Sequence, residues 1–190
     1  YHAASLAFVK MVGKKSVDEV VGRTDAEIFE DIERETGTNG CRHPLTFILE
    51  AADDIAYKTA DIEDAYVKGF ISYYQLKEEL RQLQESEPEN PFKPLDKLEH
   101  KYESGVNRGV SNPEEYAVKN WIVQAQGFLI NCATYGFTSN YNAIMEGTYG
   151  KDIFCGTYGE GLMHLLGDMA YRRVFTTPSI YKMEVAESVI

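Results

Sequence analysis

The chain has 190 residues, 44% of them hydrophobic and 26% charged, which suffices for one domain with a sizeable core and excludes a disordered chain. A net charge of −11 excludes a surface that coats nucleic acid, since phosphate backbones require clustered Lys and Arg, but leaves room for a local basic pocket around one triphosphate. No apolar run approaches the roughly 20 residues needed to cross a bilayer, and no basic-then-apolar signal pattern opens the chain, so a cytoplasmic protein with no membrane partner is expected.

Residues 1–40 read as helices separated by short turns. Ser16-Val-Asp-Glu and Thr24-Asp-Ala-Glu each place a hydroxyl at an N-cap and Glu at the third helical position. Ile28, Phe29 and Ile32 give the second of these helices an apolar side, and the turn residues 37–40 end it. Packing and connection are the expected roles.

The stretch 43–68 reads as a single long helix. Pro44 fits the first helical turn, where its missing N–H costs nothing, and no further Gly or Pro occurs before Gly69. At 100° per residue Ile48, Ala52, Ile55, Thr59, Ile62 and Tyr66 share a narrow arc, the expected core stripe. Asp53, Tyr57 and Asp61 follow one another at i, i+4 and i+8 on a nearly opposite face, each about 6 Å further along the axis. Spacing alone is compatible with a solvated acidic face, because Asp is rarely buried without a partner. Phe47, Leu49, Ala56 and Ala60 occupy much of the remaining circumference, which argues for a helix embedded on several sides, its acidic face meeting a cavity.

Beyond Gly69, Leu76, Leu80 and Leu83 recur at helical spacing and predict a core helix. The run 86–96 carries three prolines and reads as a loop or mobile lid. Pro113 opens a central helix reaching Phe137, in which Trp121, Ile122, Ala125, Phe128, Leu129 and Cys132 lie on a core face rather than a base-stacking one. Further helices are expected over 137–145 and 162–175. The glycine-rich 147–161 between them lacks the order of a P-loop and reads as turns. Arg172 and Arg173 read as surface ion-pairing residues that could alternatively reach a phosphate or a neighbouring subunit. Cys41, Cys132 and Cys155 are odd in number and widely spaced, so free, buried or half-buried thiols are expected. With no period-two pattern anywhere, the fold reads as all-α, with 1–85 holding the site helix, 86–112 a proline-containing loop or linker, and 113–190 a C-terminal helical region packed upon it.

Arg42-His43-Pro44-Leu45, Glu50-Ala-Ala-Asp53-Asp54-Ile-Ala-Tyr57 and Asp61-Ile-Glu-Asp64-Ala65 together resemble the signature of bacterial dGTP triphosphohydrolases of the HD-domain phosphohydrolase superfamily. The resemblance begins near Asp25, runs through Gly69, and returns at Asn140–Tyr149 and Tyr171–Phe175. It implies an HD-domain-like helical bundle, here its C-terminal part, that hydrolyses dGTP or other dNTPs to deoxynucleoside and inorganic triphosphate. It implies a divalent metal, Mg or Mn, suited to such a reaction because a metal both activates water and neutralises phosphate charge. By the same resemblance Asp53 is the last metal ligand, Tyr57 lies against sugar and phosphates, and Asp61 accepts a hydrogen bond from the sugar 3′-hydroxyl. Asp54 points about 100° away from Asp53 and takes a supporting or structural role.

The family's first metal ligand and its His-Asp pair have no counterpart, because none of His2, His43, His100 and His164 is followed by Asp. The expectation is a C-terminal fragment, starting without Met, whose site is incomplete and inactive alone. A homo-oligomer is implied by the resemblance, with dNTP rather than nucleic acid as partner. The alternatives are a non-catalytic regulatory or assembly domain that keeps the scaffold, or an HD phosphohydrolase with another nucleotide substrate.

Overall fold

The computed structural model describes residues 25–38 and 40–175. Within them lie helices α1 (Asp25–Thr36), α2 (Pro44–Val67), α3 (Tyr73–Ser86), α4 (Pro94–Asn107), α5 (Pro113–Ser139), α6 (Tyr141–Met145) and α7 (Glu160–Ala170), closed by a π-helical turn, Tyr171–Phe175. No strand occurs among the described residues, in agreement with the all-α expectation. None of these helices is long and apolar enough to cross a membrane. The expected Ser16 and Thr24 caps lie outside the described residues. Phe29, expected on the apolar side of α1, is exposed.

Local chemistry sets the ends of α2. His43 occupies the N-cap, its Nδ1 accepting the Leu45 amide at 3.2 Å, and Pro44 follows in the first turn. At the other end Gly69 takes φ of 77°, and this left-handed turn lets the Phe70 amide donate to the Ala65 carbonyl at 2.8 Å. The 24 residues between run without a break. α3 starts at a capping box in which Ser72 and Gln75 satisfy each other's backbone amides.

Residues 86–112, expected as a loop or linker, instead contain α4. Pro94 does not break a helix but starts one, and Pro94, Leu98 and Gly105 are buried along its inner side. The short stretch between α3 and α4 is irregular, and it is pinned. Buried Asn90 donates to Glu87 at 2.7 Å and to the Tyr158 carbonyl at 2.8 Å, and accepts the Phe92 amide at 3.0 Å. A mobile lid would not invest a buried amide in three bonds.

α5 is the axis of the bundle. Trp121 is fully buried and its indole Nε1 donates to the Pro94 carbonyl at 3.0 Å, tying α5 to the first turn of α4. Phe128 stacks on Phe92 with ring centroids 4.3 Å apart, so the α5 aromatics serve packing, as their spacing indicates. α2 lies against α5 and α7, and the two long helices are stitched by Gln126, which donates to buried Thr59 at 2.8 Å. The 147–159 turns cross α5 at Gly136, where any side chain would strike the Ile153 carbonyl. Arg172 grips half-buried Glu79 of α3 with two bonds of 3.2 and 3.1 Å, and Arg173 stands 4.0 Å from it, so the ion-pair reading of these arginines is the one observed.

Leu80 is fully buried whereas Leu49 is 70% exposed. In urea unfolding of the chain, Leu80→Ala should cost about 2–5 kcal/mol while Leu49→Ala stays within about 0.5 kcal/mol.

Candidate active-site face of helix α2

The residues of α2 that reach the core are Phe47, Ala51, Ile55, Thr59, Ile62 and Ala65. At 100° per residue this buried face is rotated by roughly 40° from the predicted stripe, toward Phe47 and Ala65. Ile55, Thr59 and Ile62 belong to both. Tyr66 is half-buried, while Ile48 and Ala52, expected inside, are exposed. The correction has a packing cause. α7 approaches the flank that carries Lys58, whose stem passes so close to Gly167 that a Cβ there would touch its Cε at 3.6 Å. On the same flank Tyr149 packs against Phe47 with ring centroids 5.7 Å apart, so the buried arc turns toward α7 and Tyr149 and away from Ile48.

Leu49, Ala56 and Ala60 are exposed as well, so among the described residues α2 is not embedded on several sides. The acidic row opens to solvent, not to a cavity. Asp53 and Tyr57 are exposed, Tyr57 at 65%, and Asp61 is half-buried. α2 thus has three faces: the core, an exposed Leu/Ala stripe, and the row Asp53, Tyr57, Asp61.

The row's carboxylates differ in their surroundings. Burial first, and then the neighbouring Asp64 carboxylate, push the Asp61 carboxyl above the usual Asp range, against a smaller downward pull from Lys68. Asp64 itself pairs with Lys68 at 2.9 Å. Asp54 pairs with Lys58 at 2.9 Å and so points away from Asp53, toward α7.

A cavity of about 260 Å³ opens beside the first half of α2, bounded by Arg42, Phe47, Glu50 and Asp54 and by residues 150–154 from the turns. Arg42 lies over the Phe47 ring, 4.2 Å from its centroid, and is ion-paired with Glu50. Neither Asp53, Tyr57 nor Asp61 lines this cavity. Nothing in the sequence announces it, because residues 150–154 read only as turns and meet α2 through tertiary folding.

No three His, Cys, Asp or Glu side chains among the described residues converge to hold a metal ion. Asp53 offers one carboxylate, and the described residues do not by themselves fit the metal that the resemblance implies. The cysteines are all free. Burial pushes the Cys132 thiol up, but Cys41 and Cys155 are exposed, contrary to the expectation of buried thiols.

The fold and the row define a class: an all-helical bundle that displays two carboxylates and a phenol, one turn apart, along a single long helix. No family model matches the chain. Its relatives carry consistent names. It is 32% identical over 168 residues to a deoxyguanosinetriphosphate triphosphohydrolase-like protein of Listeria monocytogenes, covering 85% of this chain and 34% of that protein. It is 27% identical over 157 residues to a probable deoxyguanosinetriphosphate triphosphohydrolase of Pseudomonas aeruginosa, covering 77% and 31%. Against the deoxyguanosinetriphosphate triphosphohydrolase of Serratia proteamaculans it is 29% identical over 147 residues, covering 76% and 29%. The chain belongs to the deoxyguanosinetriphosphate triphosphohydrolase family, and it spans about a third of the length of these relatives.

The raised Asp61 pKa fixes a pH dependence. Over the window starting at the ordinary Asp value of 3.8 and ending at the folded value, the folded state binds the Asp61 proton and the unfolded state releases it, so Asp61 weakens the fold as pH rises. Denaturation of the chain as a function of pH should show Asp61→Asn gaining stability relative to the parent across that window. A constant difference would contradict the assigned burial.

Proposed function

We propose that the full-length protein hydrolyses dGTP, or several dNTPs, to the deoxynucleoside and inorganic triphosphate, with α2 forming one wall of the active site. The observation that carries the reading is the row Asp53, Tyr57, Asp61, its first two members exposed and its third half-buried, on a helix whose other side is locked in the core. A row with this periodicity can address an extended ligand at three successive points about 6 Å apart. Its relatives' names supply the substrate class.

In this reading Asp61 receives the 3′-hydroxyl of the deoxyribose. A carboxylate is acceptor-only when ionised, and partial burial reduces the competition from water for that hydrogen bond. Tyr57 sets its ring against the sugar, with its hydroxyl within reach of phosphate oxygens. Asp53 is one carboxylate of a divalent-metal site, Mg or Mn, whose other ligands come from outside the described residues. Asp54 is held by Lys58, which leaves Asp53 as the carboxylate free to face a ligand.

The rival with an observation in its favour is a non-catalytic scaffold domain, because the described residues hold no complete ligand set for a metal. Product analysis separates the two. Full-length protein supplied with dNTPs should release inorganic triphosphate; release of orthophosphate alone would rule out the triphosphohydrolase chemistry, and no release would favour the scaffold. Asp53→Ala should lower kcat/KM by about 100-fold or more, the loss expected when several kcal/mol of transition-state stabilisation is removed. Asp61→Asn should lower kcat/KM for dGTP by about 10- to 100-fold, the worth of one charge-assisted hydrogen bond, and should have no effect on a 2′,3′-dideoxynucleotide. An equal loss on both substrates would refute the assignment of the 3′-hydroxyl to Asp61.

A further inference from the structure

We infer that Gln126 of α5 is a positioning residue for the proposed site, holding Asp61 in place through Thr59. Among the described residues, the bond from Gln126 to Thr59 is the one side-chain hydrogen bond that joins α2 to another helix. Lys58 turns back to Asp54, Lys68 to Asp64 and His43 to the Leu45 amide, whereas the Gln126 amide reaches Thr59 from α5 at 2.8 Å. The other buried residues of α2, Phe47, Ala51, Ile55, Ile62 and Ala65, are apolar. Apolar packing is non-directional and tolerates small slides that a hydrogen bond of fixed geometry does not.

The direction of the bond is forced. Thr59 is fully buried, and its hydroxyl gives its hydrogen to the Ile55 carbonyl at 2.6 Å, so toward α5 it can only accept. A donor is required there, and the half-buried Gln126 carboxamide supplies it. Thr59 stands midway between Tyr57 and Asp61 in the chain, about 3 Å along the axis from either. It also lies about 160° round the helix from Asp61, so Gln126 bonds to the far side of α2 and acts on the row only through the helix backbone.

A displacement of about 1 Å far from the chemistry can cost a reaction about 100-fold, and a hydrogen bond weakens steeply as its geometry is spoiled. The bond to Gln126 fixes the axial position of α2 at the Asp61 end of the row, where the proposed contact is a single hydrogen bond to the sugar. The inference rests on that role of Asp61 and names the residue that sets its distance from the 3′-hydroxyl.

The test uses Gln126→Glu in the full-length protein, a substitution of the same shape that, when ionised, presents Thr59 with an oxygen carrying no hydrogen. The ratio of kcat/KM for dGTP to that for its 2′,3′-dideoxy analogue should fall by about 5- to 10-fold, with the dideoxynucleotide itself hydrolysed within about 2-fold of the parent. Thr59→Val should lower the ratio equally, Thr59→Ser should keep it, and the double variant Thr59→Val/Gln126→Glu should lose no more than either single one. Equal losses on both substrates, or losses that multiply in the double variant, would overturn the inference. Should Gln126→Glu fail to fold, Thr59→Val and Thr59→Ser carry the comparison from the other side of the bond. A crystal structure of full-length Thr59→Val needs no substrate, and should show Asp61 displaced relative to α5 by about 0.5–1 Å, beyond what a preorganised site tolerates; α2 in its parental position would overturn the inference. If Asp61→Asn leaves the parent's substrate ratio unchanged while that displacement is found, the proposed role of Asp61 fails and the positioning of α2 by Gln126 stands.

Discussion

The burial of Phe47, Ala51, Ile55, Thr59, Ile62 and Ala65 against α5 and α7 fixes the rotation of α2, and with it everything that helix presents to solvent. A helix has no independent choice of which residues face outward once one arc is buried. The buried Thr59 hydroxyl, which donates to the Ile55 carbonyl at 2.6 Å and accepts from Gln126 at 2.8 Å, adds a polar constraint to the apolar one. A slip of α2 by one residue would strand both Thr59 and Gln126, at a cost above that of the lost apolar contact. The acidic row is therefore positioned by the core rather than by contacts of its own.

The remainder of the bundle acts as the frame for that helix. α4 clasps α5 through the Trp121–Pro94 bond, Asn90 pins the connection before α4 to the turn before α7, and the Arg172–Glu79 grip fastens the end of α7 to α3. Each of these joins segments far apart in sequence, and each uses a specific polar bond where apolar packing alone would permit sliding. Rigidity in the frame is what holds the three side chains of the row at fixed spacing.

Much of this architecture was legible in the residues alone. Pro44 and Gly69 bracket α2 through ordinary capping chemistry, and the period of four between Asp53, Tyr57 and Asp61 places them on one face whatever lies around them. The rotation of the core face was not legible. Ile48 and Ala52 are as apolar as Phe47 and Ala51, and the approach of α7 over Lys58 and of Tyr149 onto Phe47 decides between them. The segment 86–112 shows the opposite difficulty. Three closely spaced prolines read as an end to helix, yet Pro94 is a helix start, and the helical recurrence of Leu95, Leu98 and Tyr102 beyond it carried the signal. The cavity beside Arg42 depended wholly on tertiary folding.

The central claim is that the Asp53–Tyr57–Asp61 face receives the deoxynucleotide. A crystal structure of the full-length protein with a non-hydrolysable dGTP analogue tests it most directly. The account predicts the 3′-oxygen within hydrogen-bonding distance of the Asp61 carboxylate, the sugar against the Tyr57 ring, and the phosphates running toward Asp53. A nucleotide bound elsewhere, with this face covered by protein and free of ligand, would contradict it.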